Sequence, residues 1–206
     1  MAEKTRIAVL VSGGGTNLQA LIDAQKSGAL TDGEIALVVS SRADAYALER
    51  AASAGIPAVT VSRRDCASQE DFEAALLKAL EGAHAELIVL AGFLSILSAA
   101  FITRYRDRIL NVHPSLIPSF CGKGFYGLKV HEAALSYGVK VTGATVHFVN
   151  EIPDGGKILF QKAVDVLPDD TPETLQRRVM EQAEWVLLPL AAQTVSKSIM
   201  EGKTDD

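Results

Sequence analysis

Ile7-Ala8-Val9-Leu10-Val11-Ser12-Gly13-Gly14-Gly15-Thr16-Asn17-Leu18 decides the class of fold. The unbroken apolar run at its start reads as a central parallel strand, buried on both faces. Three glycines follow at once. A helical pattern then begins, with Leu18, Leu21 and Ile22 on one face and Gly28 near its end. Strand, glycine loop and helix form the geometry that cradles a phosphate. Backbone N–H groups and the helix N-terminus face the anion, and the missing Cβ atoms allow close approach. The spacing is neither GxGxxG nor a P-loop, since no lysine follows the last glycine. A generic dinucleotide or triphosphate site is therefore not expected. A plain turn would not require three glycines, which cost chain entropy.

Working outward, the same alternation repeats. Residues 35–40, 58–61, 87–91 and 109–113 read as strands, and 43–54, the stretch after Ser68 and the stretch from Ser98 to about Tyr105 read as helices. Ser68-Gln69-Glu70-Asp71 resembles a capping box, followed by an apolar stripe of Phe72, Ala75, Leu76, Ala79 and Leu80. After His113 the pattern changes. Residues 114–127 are irregular and rich in Pro and Gly, and a long loop of that kind is often functional. A helix at 129–137, with Gly138 as its C-cap, precedes two strands, 139–149 and 157–166, which pair as an antiparallel hairpin at the sheet edge. Thr171-Pro172-Glu173 starts a last helix, which Pro189 is expected to kink or divide. The polar residues 201–206 are expected to be loose. The expectation is an α/β, doubly wound, mostly parallel sheet of about seven strands. Helices cover both faces, a C-terminal antiparallel hairpin is added, and residues 1–206 form one domain.

Composition narrows the function. The hydrophobic fraction is 48% and the aromatic fraction 6%, which suits an aliphatic α/β core. A net charge of −5 gives no electrostatic footprint for nucleic acid. Cys66 and Cys121 show neither disulfide-framework nor zinc spacing, and no metal is expected. With no signal peptide and no membrane-spanning run, a soluble cytoplasmic protein is expected. Composition sets no oligomeric state.

In doubly wound sheets, ligands gather at the carboxyl ends of the strands. The glycine loop lies there, as do the apolar loop from Gly92 to Leu97 and the pair Asn111 and His113. Alternation places Asn111 and His113 on one face of a strand that Pro114 ends. An amide donor beside an imidazole meets two needs of acyl transfer, a donor for a developing oxyanion and a group that moves a proton near neutral pH. Asp154, in the hairpin loop before Gly155 and Gly156, supplies a carboxylate that would stabilise the imidazolium. Alone, Asp-Gly-Gly is ordinary turn chemistry. No Ser or Cys has an evident partner base, so direct attack by a substrate amine is favoured over an acyl-enzyme. His147 reads as a structural hydrogen-bonding residue close to the site, His131 as either a ligand contact or a surface residue, and His84 as a surface residue.

Residues 111–118, Asn-Val-His-Pro-Ser-Leu-Ile-Pro, then 142–149 and Asp154-Gly155-Gly156 resemble the signature of the 10-formyltetrahydrofolate-dependent formyltransferases. Residues 12–20 and 90–98 are similar to the branch whose acceptor is glycinamide ribonucleotide. The resemblance runs from about Arg6 to Pro189. It implies 10-formyltetrahydrofolate as co-substrate, with no metal. Asn111 would bond the formyl oxygen, His113 would act as general acid, and Asp154 would keep His113 effective. Gly15, Thr16 and Asn17 would bind the phosphate, and Glu184 the ribose hydroxyls. Gln69, Leu94, Ser95, Ile96, Leu97, Asn111, Asn150 and Asp154 would contact the folate.

The chain departs from the pattern in places. Ser95 and Gln69 stand where some relatives carry Arg, Trp185 stands where the family often has His, and the loop at 119–127 is longer. Three other activities share parts of the pattern. A formyltetrahydrofolate hydrolase would carry an added N-terminal domain, for which a first strand near Arg6 leaves no room. A methionyl-tRNA formylase would carry a basic extension. A non-catalytic binding module would not need Asn111, His113 and Asp154 together.

Overall fold

The computed structural model describes residues 4–202. The expectation of a loose tail at 203–206 lies outside the described residues. The strands are β1 (Thr5–Val11), β2 (Gly33–Ser40), β3 (Ala58–Thr60), β4 (Leu87–Leu90), β5 (Ile109–His113), β6 (Val141–Phe148) and β7 (Ile158–Asp165). They form one sheet in the order β3-β2-β1-β4-β5-β6-β7. Strands β1 to β5 run parallel, and β6 and β7 are antiparallel additions at one edge. The doubly wound sheet with its terminal hairpin is therefore present as expected.

The helices are α1 (Thr16–Ser27), α2 (Tyr46–Ser53), α3 (Gln69–Gly82), α4 (Ala99–Arg104), α5 (Leu128–Tyr137), α6 (Pro172–Val179) and α7 (Trp185–Met200). Alternation along β1 divides the core. Ile7, Val9 and Val11 meet α1, α6 and α7 on one face, while Ala8 and Leu10 meet α3 and α4 on the other. Local chemistry sets the helix ends. Ser68, Ser98 and Thr171 accept from the N–H groups of Asp71, Phe101 and Thr174, and Gly28 and Gly138 close α1 and α5 in the left-handed conformation.

Two expectations need correction. The last helix is not divided at Pro189, which lies inside α7. The irregularity comes earlier, as a π-helical turn at Met180–Glu184. Pro189 lacks an N–H and its ring crowds the carbonyl of the preceding turn, yet α7 carries it without ending there. His131 is not a surface residue. It is fully buried in α5, and neither ring nitrogen has a hydrogen-bond partner. Burial, with the nearby His113, lowers its pKa to about 4, so the ring is neutral near pH 7.

The sheet order reverses between β1 and β4, because β1 continues to β2 on one side and β4 to β5 on the other. That switch opens a crevice at the carboxyl ends. Ser12 bridges it. Its hydroxyl accepts from the Leu94 N–H at 2.9 Å and shares a 2.6 Å hydrogen bond with Ser41.

Candidate active site

Register brings the polar residues together. The antiparallel pairing of β5 with β6 sets Asn111 opposite His147 and His113 opposite Thr145. All four side chains therefore share a face. Asn111 Nδ2 lies 3.2 Å from His147 Nε2. Thr145 pins the start of the 114–127 loop. Its hydroxyl donates to Ser115 O at 2.7 Å and accepts from the Ile117 N–H at 3.1 Å.

Asp154 enters from the loop between β6 and β7. Its φ of +56° lies in the left-handed region, which Asp tolerates better than most residues. Gly156 permits the closure, because a Cβ there would sit 1.7 Å from the Phe148 carbonyl oxygen. The carboxylate then lies between two imidazoles. Oδ2 is 3.6 Å from His113 Nδ1, and Oδ1 is 3.7 Å from His147 Nε2. The Gly122 N–H also donates to Oδ2 at 2.7 Å.

Backbone carbonyls assign the tautomers, since a carbonyl only accepts. His113 Nε2–H donates to Phe120 O at 2.9 Å, and His147 Nδ1–H donates to Phe148 O at 2.8 Å. In both rings the nitrogen facing Asp154 is the one that gains a proton when the ring becomes cationic. Burial pushes the Asp154 carboxyl upward. The His147 ring, the Gly122 N–H and the charge of His113 outweigh it, so its pKa lies below the ordinary carboxylate value. The geometry is a carboxylate kept ionised between the ring nitrogens of His113 and His147.

Two cavities meet at these residues. One, about 150 Å³, is walled by Phe93, Ile96, Leu97, Val149 and Ile152 and also lined by Ser95 and Asn150. The other, about 240 Å³, is lined by Asn17, Leu94, His113, Tyr126, Met180 and Glu184. Both are lined by Phe93, Asn111 and Asp154. Leu94 and Ile96 are exposed apolar side chains on the rim, 63% and 79% accessible. The loop is thus a wall of the crevice that Leu97 ties to the core. A larger cavity of about 550 Å³ lies between α1 and the start of α7, against Arg50 and Trp185. It contains no histidine, so volume alone does not choose the site. Among the described residues, no cluster of His, Cys, Asp and Glu is arranged to hold a metal ion.

The remaining candidates divide. Gly15 is the N-cap of α1, with φ +70° and no side-chain cap. Asn17 is buried, and its Nδ2 donates to Glu184 Oε2 at 2.7 Å. The π turn directs Glu184 inward, where it is 6% exposed. Burial pushes its pKa up to about 7, the Asn17 bond opposing part of the rise. Thr16 contacts Met180 Sδ through its hydroxyl at 3.8 Å. Leu94 lines the cavity of Asn17 and Glu184, not the apolar one. Gln69 lines neither. Its amide nitrogen donates to Glu73 Oε1 and Ile96 O, and its oxygen accepts from Arg63. Sequence reasoning missed Glu73, a buried carboxylate that accepts from the Ser98 N–H at 2.6 Å and from its hydroxyl at 2.5 Å. The one available signal was its place beside Phe72 on the apolar side of α3.

The family model for formyl transferases matches residues 5–191. The chain belongs to the formyl transferase family. This formyl transferase is 41% identical to the phosphoribosylglycinamide formyltransferase of Haemophilus influenzae, over 96% of the chain and 88% of that protein. It is 45% identical to the trifunctional purine biosynthetic protein adenosine-3 of Gallus gallus over 96% of the chain, but spans 19% of that longer protein. In the Drosophila melanogaster protein of the same name it spans 13%. Among solved structures, glycinamide ribonucleotide transformylase 1 of Symbiobacterium toebii superposes with a TM-score of 0.87 at 42% identity, covering 97% of this chain and 89% of that one. The phosphoribosylglycinamide formyltransferase of Brucella melitensis gives 0.85 at 44%, covering 94% and 96%.

Proposed function

We propose that this formyl transferase moves the formyl group of 10-formyltetrahydrofolate to the amine of glycinamide ribonucleotide, a step of purine synthesis, and that residues 1–206 act as one catalytic domain. The observation that carries the reading is the meeting of two differently built cavities at Asn111 and Asp154, beside His113. The apolar cavity suits a flat pterin. The other, with Asn17, Glu184 and the N-terminal side of α1 nearby, suits a phosphorylated sugar.

The amine attacks the formyl carbon, and the carbonyl electron pair moves onto oxygen. One N–H of Asn111 is engaged by His147, which leaves the second for that oxygen. Protonated His113 stabilises the tetrahedral oxyanion, with Asp154 favouring the charged ring. The C–N bond to the folate then breaks, its electron pair staying on the folate nitrogen. The proton lost by the amine replaces the one that nitrogen takes up. The Nε2 proton of His113 is the transferable one once the Phe120 carbonyl yields. Glu184 accepts from the ribose hydroxyls. Ser95, Ile96, Leu97 and Asn150 contact the folate, while Gln69 acts through the loop it braces.

Neither a nucleic acid nor a membrane is a partner in this reading, and the cytoplasm is its compartment. Among the described residues no helix is long and apolar enough to cross a membrane. The deciding assay mixes the protein with 10-formyltetrahydrofolate, with and without glycinamide ribonucleotide. Tetrahydrofolate release that requires the ribonucleotide, with formamide product formed in equal amount, supports the transferase. Equal release without it makes the protein a hydrolase.

A further inference from the structure

The carbonyls of the glycine loop are as ordered as its N–H groups. The Ala47 N–H donates to Gly13 O at 3.1 Å, and Arg50 Nε donates to Gly14 O at 2.8 Å. Both donors belong to α2. That helix lies so close that a Cβ on Gly15 would be 2.7 Å from Ala47 Cβ and 2.9 Å from its Cα. In a trans peptide, the C=O and the following N–H point in opposite directions. Turning the Gly13 and Gly14 carbonyls toward α2 therefore turns the N–H groups of Gly14 and Gly15 away from it. The Gly15 carbonyl is also engaged, by the Gln19 N–H at 2.9 Å. The N-cap supplies no side-chain acceptor for the first turn of α1. The loop thus offers an anion donors, while its three glycine carbonyls are occupied elsewhere.

Arg50 is itself held in place. Its Nη1 donates to Gln19 Oε1 at 3.0 Å, and its Cζ lies 5.0 Å over the Tyr46 ring. The guanidinium therefore spans from α2 across the loop to α1.

Resting on the reading of this loop as the phosphate site, we infer that Arg50 is a positioning residue for the ribonucleotide phosphate. It holds the Gly14 carbonyl away from the anion, so that the Gly15 N–H faces it, and it places a positive charge behind the loop. Without the guanidinium, the Gly14–Gly15 peptide has no side chain to stop it turning over. A turned peptide would present an oxygen to the phosphate.

The test is calorimetric titration of the wild type, Arg50→Met and Arg50→Lys. Each is titrated with glycinamide ribonucleotide and with the riboside that lacks the phosphate. In the wild type the phosphate strengthens binding. In Arg50→Met that gain should shrink by about tenfold, the scale of a lost charge-assisted hydrogen bond, with riboside affinity unchanged. Arg50→Lys keeps the charge and one donor and should recover part of it. The folate KM, and kcat at saturating substrates, should stay within about twofold of wild type in both variants, since Arg50 acts only on phosphate binding. A full phosphate gain in Arg50→Met, or in Arg50→Lys should Arg50→Met not fold, overturns the inference. So does an equal loss for both ligands, which marks a general packing role. A wild type that does not distinguish ribonucleotide from riboside overturns the reading of the loop itself.

Discussion

Replacing Glu184 by glutamine isolates a carboxyl whose ionisation opposes the fold. Glu184 is buried and has one donor, Asn17 Nδ2, for its charged form. Burial lifts its pKa from 4.5 to about 7, against the Asn17 bond. The folded protein therefore binds more protons than the unfolded chain across this interval. Glu184's contribution is fully present below about pH 4.5 and is lost as pH rises through about 7. At 1.36 kcal/mol per unit, the interval amounts to about 3 kcal/mol, most of which falls between pH 5 and pH 8. Glutamine does not titrate, and its amide offers the donor that a protonated carboxyl would. Urea unfolding of both ligand-free proteins from about pH 5 to about pH 8 should show Glu184→Gln gaining on the wild type by about 2–3 kcal/mol over that range. Other titrating groups cancel in the difference. A stability difference that does not change with pH would falsify the argument that Glu184 is buried and poorly solvated. The same ionisation should make wild-type affinity for the ribonucleotide rise through this range, because ribose hydroxyls donate to the charged form. The glutamine variant should lack that rise.

His113→Ala should lower kcat by on the order of a hundredfold or more, the scale for a positioned acid, with binding of both substrates retained by titration. Turnover within about threefold of wild type would remove His113 from the proton path. Asp154→Asn takes the carboxylate from between two imidazoles and should cost activity on a similar scale. Because the Asp154 pKa is depressed, its ionisation supports the fold above about pH 4 and that support is lost as pH falls, so the asparagine variant should show a flatter acid limb in an unfolding titration. Gly156→Ala sets a Cβ 1.7 Å from a backbone oxygen, which cannot swing aside as a side chain would. It should cost about 3 kcal/mol or more and displace Asp154. Wild-type stability and rate together in that variant would mean that the hairpin loop tolerates another path.

Much of the architecture is local, and local chemistry is legible in a sequence. The unbroken apolar runs of β1 and β4 mark buried parallel strands. Ser68, Ser98 and Thr171 start helices because their oxygens satisfy an N–H that the helix cannot. Gly28 and Gly138 end helices because the left-handed cap carries no Cβ cost. The spacing of Asn111 and His113 puts them on one face of a strand, and βα alternation marks a parallel sheet. The family resemblance, read over the same motifs, coincides with what the comparisons show for nearly the whole chain.

What is not local was decided by packing. Pro189 reads as a helix breaker, yet the turn that yields lies at Met180–Glu184, where widening directs Glu184 into the crevice. His131 occupies a helix start typical of a surface residue, but α5 turns it into the core. Nothing along the chain says that Glu73 and the Ile96 carbonyl hold the amide of Gln69. His147 is the clearest case. Nothing along the chain says that it faces Asp154 as His113 does, because that depends on the antiparallel register that sets it opposite Asn111. The sequence by itself determined which elements form and which residues end them, since those choices rest on neighbours within a few positions. Only the tertiary structure decided which groups meet in the site, since Asn111 must reach His147, 36 positions on, and the Gly122 N–H must reach Asp154, 32 positions on.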